Sequence, residues 1–212
     1  MAELWSPYSQ FNLVRNPFGE LTRAERAELA VADELDEWLG LLADERAAIQ
    51  FVGGCGFGKS TYLAMIESRL AEAVYIYYPE VGRRPPLPRS RPVLVDEADR
   101  MGWYQHARLL SGRGPIVIGT HVDYSWRLKR AGFRVTTVNV ERPLAPQLAM
   151  RILNRRIEGS RLDGRLPVPV IDELFAEHLV RSFGSNLRSI EHYLYDRFQL
   201  SISERTPWRP AI

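Results

Sequence analysis

The chain has 212 residues, 45% hydrophobic and 25% charged, with a formal net charge of +2. That allows a large folded core, excludes general disorder, and is too little charge to imply a polyanionic partner by itself. The single cysteine, Cys55, excludes an intrachain disulfide, and the opening MAELWSPYSQ lacks the basic and apolar regions of a signal peptide. No apolar run approaches membrane-spanning length, so a cytoplasmic protein with no membrane insertion is expected.

Residues 22–42 read as one amphipathic helix, with Ala27, Val31, Leu35, Trp38 and Leu42 on one stripe and Thr22 with Glu25 as a capping box. Five strand-like runs follow: AAIQFV (47–52), AVYIYY (73–78), PVLV (92–95), PIVIGT (115–120) and FRVTTVNV (133–140). Helix-like segments at 59–70, 102–110 and 123–131 separate most of them, which predicts a parallel sheet with crossover helices. Between the second and third strands, EVGRRPPLPRSR is too rich in proline for a helix and is expected to be an extended loop. Beyond Pro143 the pattern turns to helices alone, near 145–158, 170–182 and 186–200, before a tail ending TPWRPAI. The division expected is an α/β domain over 1–142 and a helical subdomain over 143–212.

Four glycines lie among the six residues 53–58, after the first strand and before a helix. Gly53, Gly58, Lys59 and Ser60 fit G-x-x-x-x-G-K-S, the pattern of a phosphate-binding loop. Glycines there let backbone N–H groups turn toward phosphate oxygens, and the helix N-terminus adds a favourable dipole. The expected cradle runs through Gly53, Gly54, Cys55, Gly56, Phe57, Gly58, Lys59, Ser60 and Thr61. Lys59 would reach the β and γ phosphates of ATP, and Ser60 would ligand Mg²⁺. VLVDEADR then sets Asp96 and Glu97 at the carboxyl end of an apolar strand, where open α/β sheets bind ligands. Asp96 would hold Mg²⁺ through water, and Glu97 would polarise a water for attack on the γ-phosphate.

With these motifs the sequence resembles the AAA+ ATPases, within the additional-strand class of P-loop NTPases. Gly53 to Ser60 is similar to their Walker A motif and Val93 to Glu97 to their Walker B motif. The resemblance implies a P-loop five-stranded sheet in the order 5-1-4-3-2, followed by a helical lid. It also implies a polar sensor at the end of IVIGTH, with Thr120 the first choice and His121 the second, and a second sensor, Arg188, in the first turn of the helix after FGSN. An arginine acting on a neighbouring subunit's ATP would be Arg127 or Arg130, between which the sequence does not choose. Pro17 and Phe18 of FNLVRNPFGEL would line the adenine pocket or clasp the core. The proline-rich loop at 80–91 replaces a helix with its pore-loop insertion, and the second strand ends YYP without the polar residue that restrains the catalytic glutamate in relatives.

The function expected is Mg²⁺-dependent ATP hydrolysis coupled to homo-oligomer assembly or remodelling of a partner. DNA is a possible partner through Arg83, Arg84, Arg89 and Arg91 in the loop and Arg151, Arg155, Arg156, Arg161 and Arg165 in the helical part. The alternatives are a nucleotide-dependent switch with slow turnover and a small P-loop kinase. The tyrosines of AVYIYY read as packing residues, and His106, His178 and His192 have no zinc-like spacing with Cys55.

Overall fold

Runs of β-branched and other apolar residues build the sheet. A computed structural model describes residues 6–89, 92–204, 206 and 208. Its strands are β1 (Ala47–Val52), β2 (Val74–Tyr77), β3 (Val93–Asp96), β4 (Ile116–Thr120) and β5 (Arg134–Asn139). All pair in parallel, in the order β2-β3-β4-β1-β5. Read from the other edge, this is the 5-1-4-3-2 order expected. Every residue of β3 and β4 is buried, as a parallel sheet covered on both faces requires.

Side-chain alternation splits the strands between two cores. Ala48, Val93, Val95, Ile116 and Ile118 pack with Met101, Leu109 and Leu128 on one face. Ile49, Phe51, Leu94 and Val117 pack with Trp38, Leu63 and Ile66 on the other. The helices between the strands are α3 (Lys59–Glu67), α4 (Trp103–Ser111) and α5 (Ser125–Arg130). Gln50 is a fully buried polar residue on β1, and its partners explain its place. Its Nε2 donates to Asp123 Oδ1 at 2.6 Å and Thr137 Oγ1 at 2.7 Å, while its Oε1 accepts from Tyr124 N at 2.9 Å. The turn after β4 is thereby fixed to the sheet.

The helix expected over 22–42 is two helices, α1 (Arg23–Leu29) and α2 (Leu35–Leu41). Ala30 and Ala32, in the break, pack on the same core as Leu35 and Leu39. Tertiary packing overrides helix propensity there. The loop after β2 has no regular structure through Arg89, and Leu87 anchors it in the first core.

The helical unit consists of α6 (Pro146–Glu158), α7 (Glu173–Phe183) and α8 (Leu187–Ser203). Asp172 and Asn186 cap α7 and α8 by accepting from Phe175 N and Ser189 N. The N-terminal stretch joins this unit: the two compact units are residues 23–141 and, together, residues 1–22 with 142–212. This division differs from a single cut at 142/143, because Phe11, Leu13 and Phe18 are buried among Leu153, Ile157, Phe175, Ile190 and Phe198. Arg156 ties the stretch down, donating to the carbonyls of Pro17 at 2.9 Å and Gly19 at 2.6 Å. Among the described residues no helix is long and apolar enough to cross a membrane.

Candidate nucleotide site

Parallel strands bring their carboxyl ends to one edge, and the expected site residues of the α/β unit follow β1, β3 and β4 at that edge. Gly58 is the N-cap of α3 with φ 87°, a left-handed conformation that strains any L side chain and lets the loop feed directly into the helix. Lys59 begins the helix and is buried. Its Nζ donates to the carbonyls of Gly53 and Gly54, both at 2.7 Å. The loop amide of Gly54 donates to Glu141 Oε1 at 2.5 Å. A carboxylate oxygen thus stands where the loop would offer that N–H to a phosphate oxygen, which tests the loop's fitness for an anion.

At the end of β3, Asp96 is 1% exposed. Its Oδ2 accepts from Tyr75 Oη at 2.7 Å and its Oδ1 from Glu97 N at 3.1 Å. Burial, with the adjacent Asp96 charge, pushes the Tyr75 phenol well above its ordinary value, so it stays a donor. Asp96 comes close to the loop lysine because β4 carries Gly119 between them. A Cβ at Gly119 would lie 2.9 Å from Asp96 Oδ1 and 3.5 Å from Lys59 Cβ.

Glu97 adopts φ 56°, an uncommon conformation for a non-glycine residue. Its Oε2 lies 3.2 Å from the Arg100 guanidinium and 3.1 Å from His121 Nε2. Arg100 also donates to Tyr77 Oη at 3.3 Å and to the Tyr78 carbonyl at 3.4 Å. The end of β2 therefore does restrain the glutamate, through Arg100. Of the two sensor candidates, Thr120 is fully buried and its hydroxyl is engaged by Val122, accepting from its N–H at 3.0 Å and donating to its carbonyl at 3.1 Å. His121, the second choice, is the one that reaches Glu97. Its own N–H donates to Asp99 Oδ1 at 3.1 Å, and its Nε2 lies 3.9 Å from Cys55 Sγ.

Arg127 is exposed with its guanidinium over the Tyr124 and Trp126 rings, at 5.6 and 5.5 Å. Arg130 is exposed on the same helix and forms no ion pair with a described residue. Arg188 is exposed in the first turn of α8, in the other unit. Pro17 and Phe18 are buried in the helical unit, where Phe18 packs 5.7 Å from the Phe198 ring, the clasp geometry. Of the helical arginines, Arg156 is buried and paired with Glu191, and Arg161 pairs with Glu158 at 2.6 Å, so these two are committed within the fold. Arg83, Arg84 and Arg89 are exposed, and Arg91 lies outside the described residues.

The sequence reading missed Tyr75 and Glu141, and gave Gly119 and Asp99 no role. Two of these carried a signal. A glycine inside a buried strand marks a close approach, and an acid two residues beyond β5 falls at the ligand-binding edge of the sheet.

No family model and no curated protein matches the chain. Solved structures do. The Thermotoga maritima RuvB Holliday junction branch migration motor matches at 14% identity and TM-score 0.59, over 84% of this chain. The chain spans 65% of that protein, just under two thirds. A DNA replication initiation factor matches at 12% identity and TM-score 0.55, over 88% of this chain and 70% of that one. NtrX from Brucella abortus, in complex with ADP, matches at 11% identity and TM-score 0.51, over 89% and 56%. Sheet order, the glycine loop after β1 and these likenesses agree: the chain has the fold of the AAA+ P-loop ATPases.

Proposed function

We propose that the chain binds ATP with Mg²⁺ and hydrolyses it. The observation that carries this reading is the buried Asp96, brought beside Lys59 across Gly119 and followed directly by Glu97. The loop amides and Lys59 take the phosphates, Lys59 exchanging its two carbonyl bonds for phosphate oxygens. Asp96 and Ser60 offer the hard oxygen ligands that suit Mg²⁺. When bound, that ion neutralises charge on the phosphate oxygens. Glu97 accepts a proton from the attacking water as the bond between the γ-phosphorus and ADP breaks, leaving ADP and phosphate. His121, next to Glu97, positions that water, with Thr120 supporting the turn. Arg130 acts on a neighbouring subunit's nucleotide, since Arg127 is held over two rings.

Hydrolysis then drives assembly or remodelling, and a DNA partner fits the exposed Arg83, Arg84 and Arg89. Two structural neighbours are a Holliday junction branch migration motor and a DNA replication initiation factor. The second reading, a switch with slow turnover, is favoured by the double hold on Glu97 from Arg100 and His121.

The test compares the native chain with Glu97→Gln. ATP binding is expected to survive while hydrolysis falls by roughly 10²–10⁴-fold, the contribution of a positioned general base. Light scattering with ATP·Mg²⁺, with and without duplex DNA, reads assembly. Native protein that neither binds nor turns over ATP would end the proposal. Turnover that is slow and irrelevant to assembly selects the switch.

A further inference from the structure

Cys55, Glu97, Asp99 and His121 come from the ends of three strands and meet beside the nucleotide loop. We propose that these four side chains form a site for a zinc-type transition-metal ion, and that the bound ion takes the Glu97 carboxylate away from hydrolysis. The second clause rests on the role of Glu97 proposed above; the first stands without it.

The geometry starts at His121 Nε2. Glu97 Oε2 lies 3.1 Å from it and Cys55 Sγ 3.9 Å. One ligand atom each from Glu97, Asp99 and His121 falls within 4.8 Å of the others, and among the described residues no other three His, Cys, Asp or Glu side chains gather this way. Tetrahedral zinc, with bonds of about 2.0–2.3 Å to nitrogen, oxygen and sulfur, sets its ligand atoms roughly 3.3–3.7 Å apart. Glu97, Asp99 and His121 are therefore gathered before any ion arrives, and Cys55, which lies beside His121 but outside that trio, has to swing inward to complete the set.

Ligand chemistry separates this site from that of Mg²⁺. Oxygens alone, as at Asp96 and Ser60, suit a hard ion; an imidazole and a thiol select a softer one. Cys55 is exposed, so an ion can reach it from solvent, and its thiol proton leaves on binding. Asp99 is already oriented, since its Oδ1 accepts from His121 N at 3.1 Å. The cation replaced at Glu97 is Arg100, whose guanidinium lies 3.2 Å from the same oxygen. A metal ion there uses the charge pattern already present, with Arg100 rotating outward and Cys55 turning in.

The test titrates the full chain, free of nucleotide and in excess Mg²⁺ to fill oxygen-only sites, with Co²⁺. Saturation at one equivalent is expected, with a thiolate-to-cobalt absorption band that Zn²⁺ abolishes by displacement and that Cys55→Ser lacks. Asp99→Asn and His121→Gln should each weaken binding by on the order of 10- to 100-fold or more, while circular dichroism melts confirm that they fold. No saturation at one equivalent, or unchanged binding in both folded variants, overturns the site. In the second arm Zn²⁺ is expected to suppress ATP hydrolysis, a chelator to restore it, and Asp99→Asn to lose the zinc response measured against its own zinc-free rate. Cobalt binding without zinc inhibition keeps the site and overturns its action through Glu97. Loss of hydrolysis in Glu97→Gln without any cobalt binding overturns the site and leaves the ATPase reading intact.

Discussion

A single missing side chain lets Asp96 and Lys59 approach one another across β4. Gly119 sits on a strand that is otherwise buried and apolar, where a larger residue would be ordinary. Any Cβ would press on Asp96 Oδ1 at 2.9 Å, with Lys59 and Leu63 at ordinary contact distances of 3.5 and 3.6 Å. Asp96 cannot retreat easily, because Tyr75 Oη and Glu97 N hold its two oxygens. Gly119→Ala is therefore expected to lower stability by about 1–3 kcal/mol, the range for overpacking a tight core. It should also weaken Mg²⁺-dependent ATP binding. Thermal melts and ATP titrations at several Mg²⁺ concentrations check both, and an alanine variant with native melting and binding would show that Asp96 has room to move.

Between elements, the contact to watch is the one from the end of β5 to the loop after β1. Glu141 gives the Gly54 amide a carboxylate oxygen, so an incoming phosphate competes with a group of the protein's own. Removing that competitor in Glu141→Ala is expected to tighten ATP binding about 3- to 10-fold, the equivalent of one ordinary hydrogen bond. A fluorescent-nucleotide titration reads it directly, and unchanged or weaker binding sinks the idea. This contact also marks the limit of what the sequence makes legible. The glycine loop and the Asp96–Glu97 pair are local patterns, the three C-terminal helices follow from periodicity, and the strand order comes only with the resemblance those motifs carry. Tyr75 against Asp96 and Glu141 against Gly54 are not local: they depend on the pairing of β2 with β3 and of β1 with β5. The break between α1 and α2 escaped notice for the same reason, since it is set by the core onto which Ala30 and Ala32 pack.

On the scale of the whole molecule, acid sensitivity has an identifiable source. Burial, aided by the Arg127 charge, depresses the pKa of His106, whose ring packs 5.0 Å from Tyr124. A histidine that the folded state keeps neutral binds its proton more readily once unfolded. Its effect is absent above the unfolded value of about 6.5 and grows as pH falls below it toward the depressed folded value. Melting temperature is therefore expected to drop below about pH 6.5, and less so in His106→Phe, which keeps an aromatic ring and cannot titrate. Parallel pH curves for the two proteins would place the sensitivity elsewhere.

The grouping of residues 1–22 with 142–212 has a consequence in time. Phe11, Leu13 and Phe18 leave the ribosome long before some of the residues that bury them, which extend to Phe198 on α8. At roughly 5–20 residues per second, the intervening synthesis of about 180 residues takes on the order of ten to forty seconds. Throughout that interval the α/β unit can fold, being continuous in the chain, while an apolar N-terminal stretch waits for its partners. The newborn chain thus carries a window of exposure to chaperones and to its neighbours on the same message, one that closes only when α8 is made.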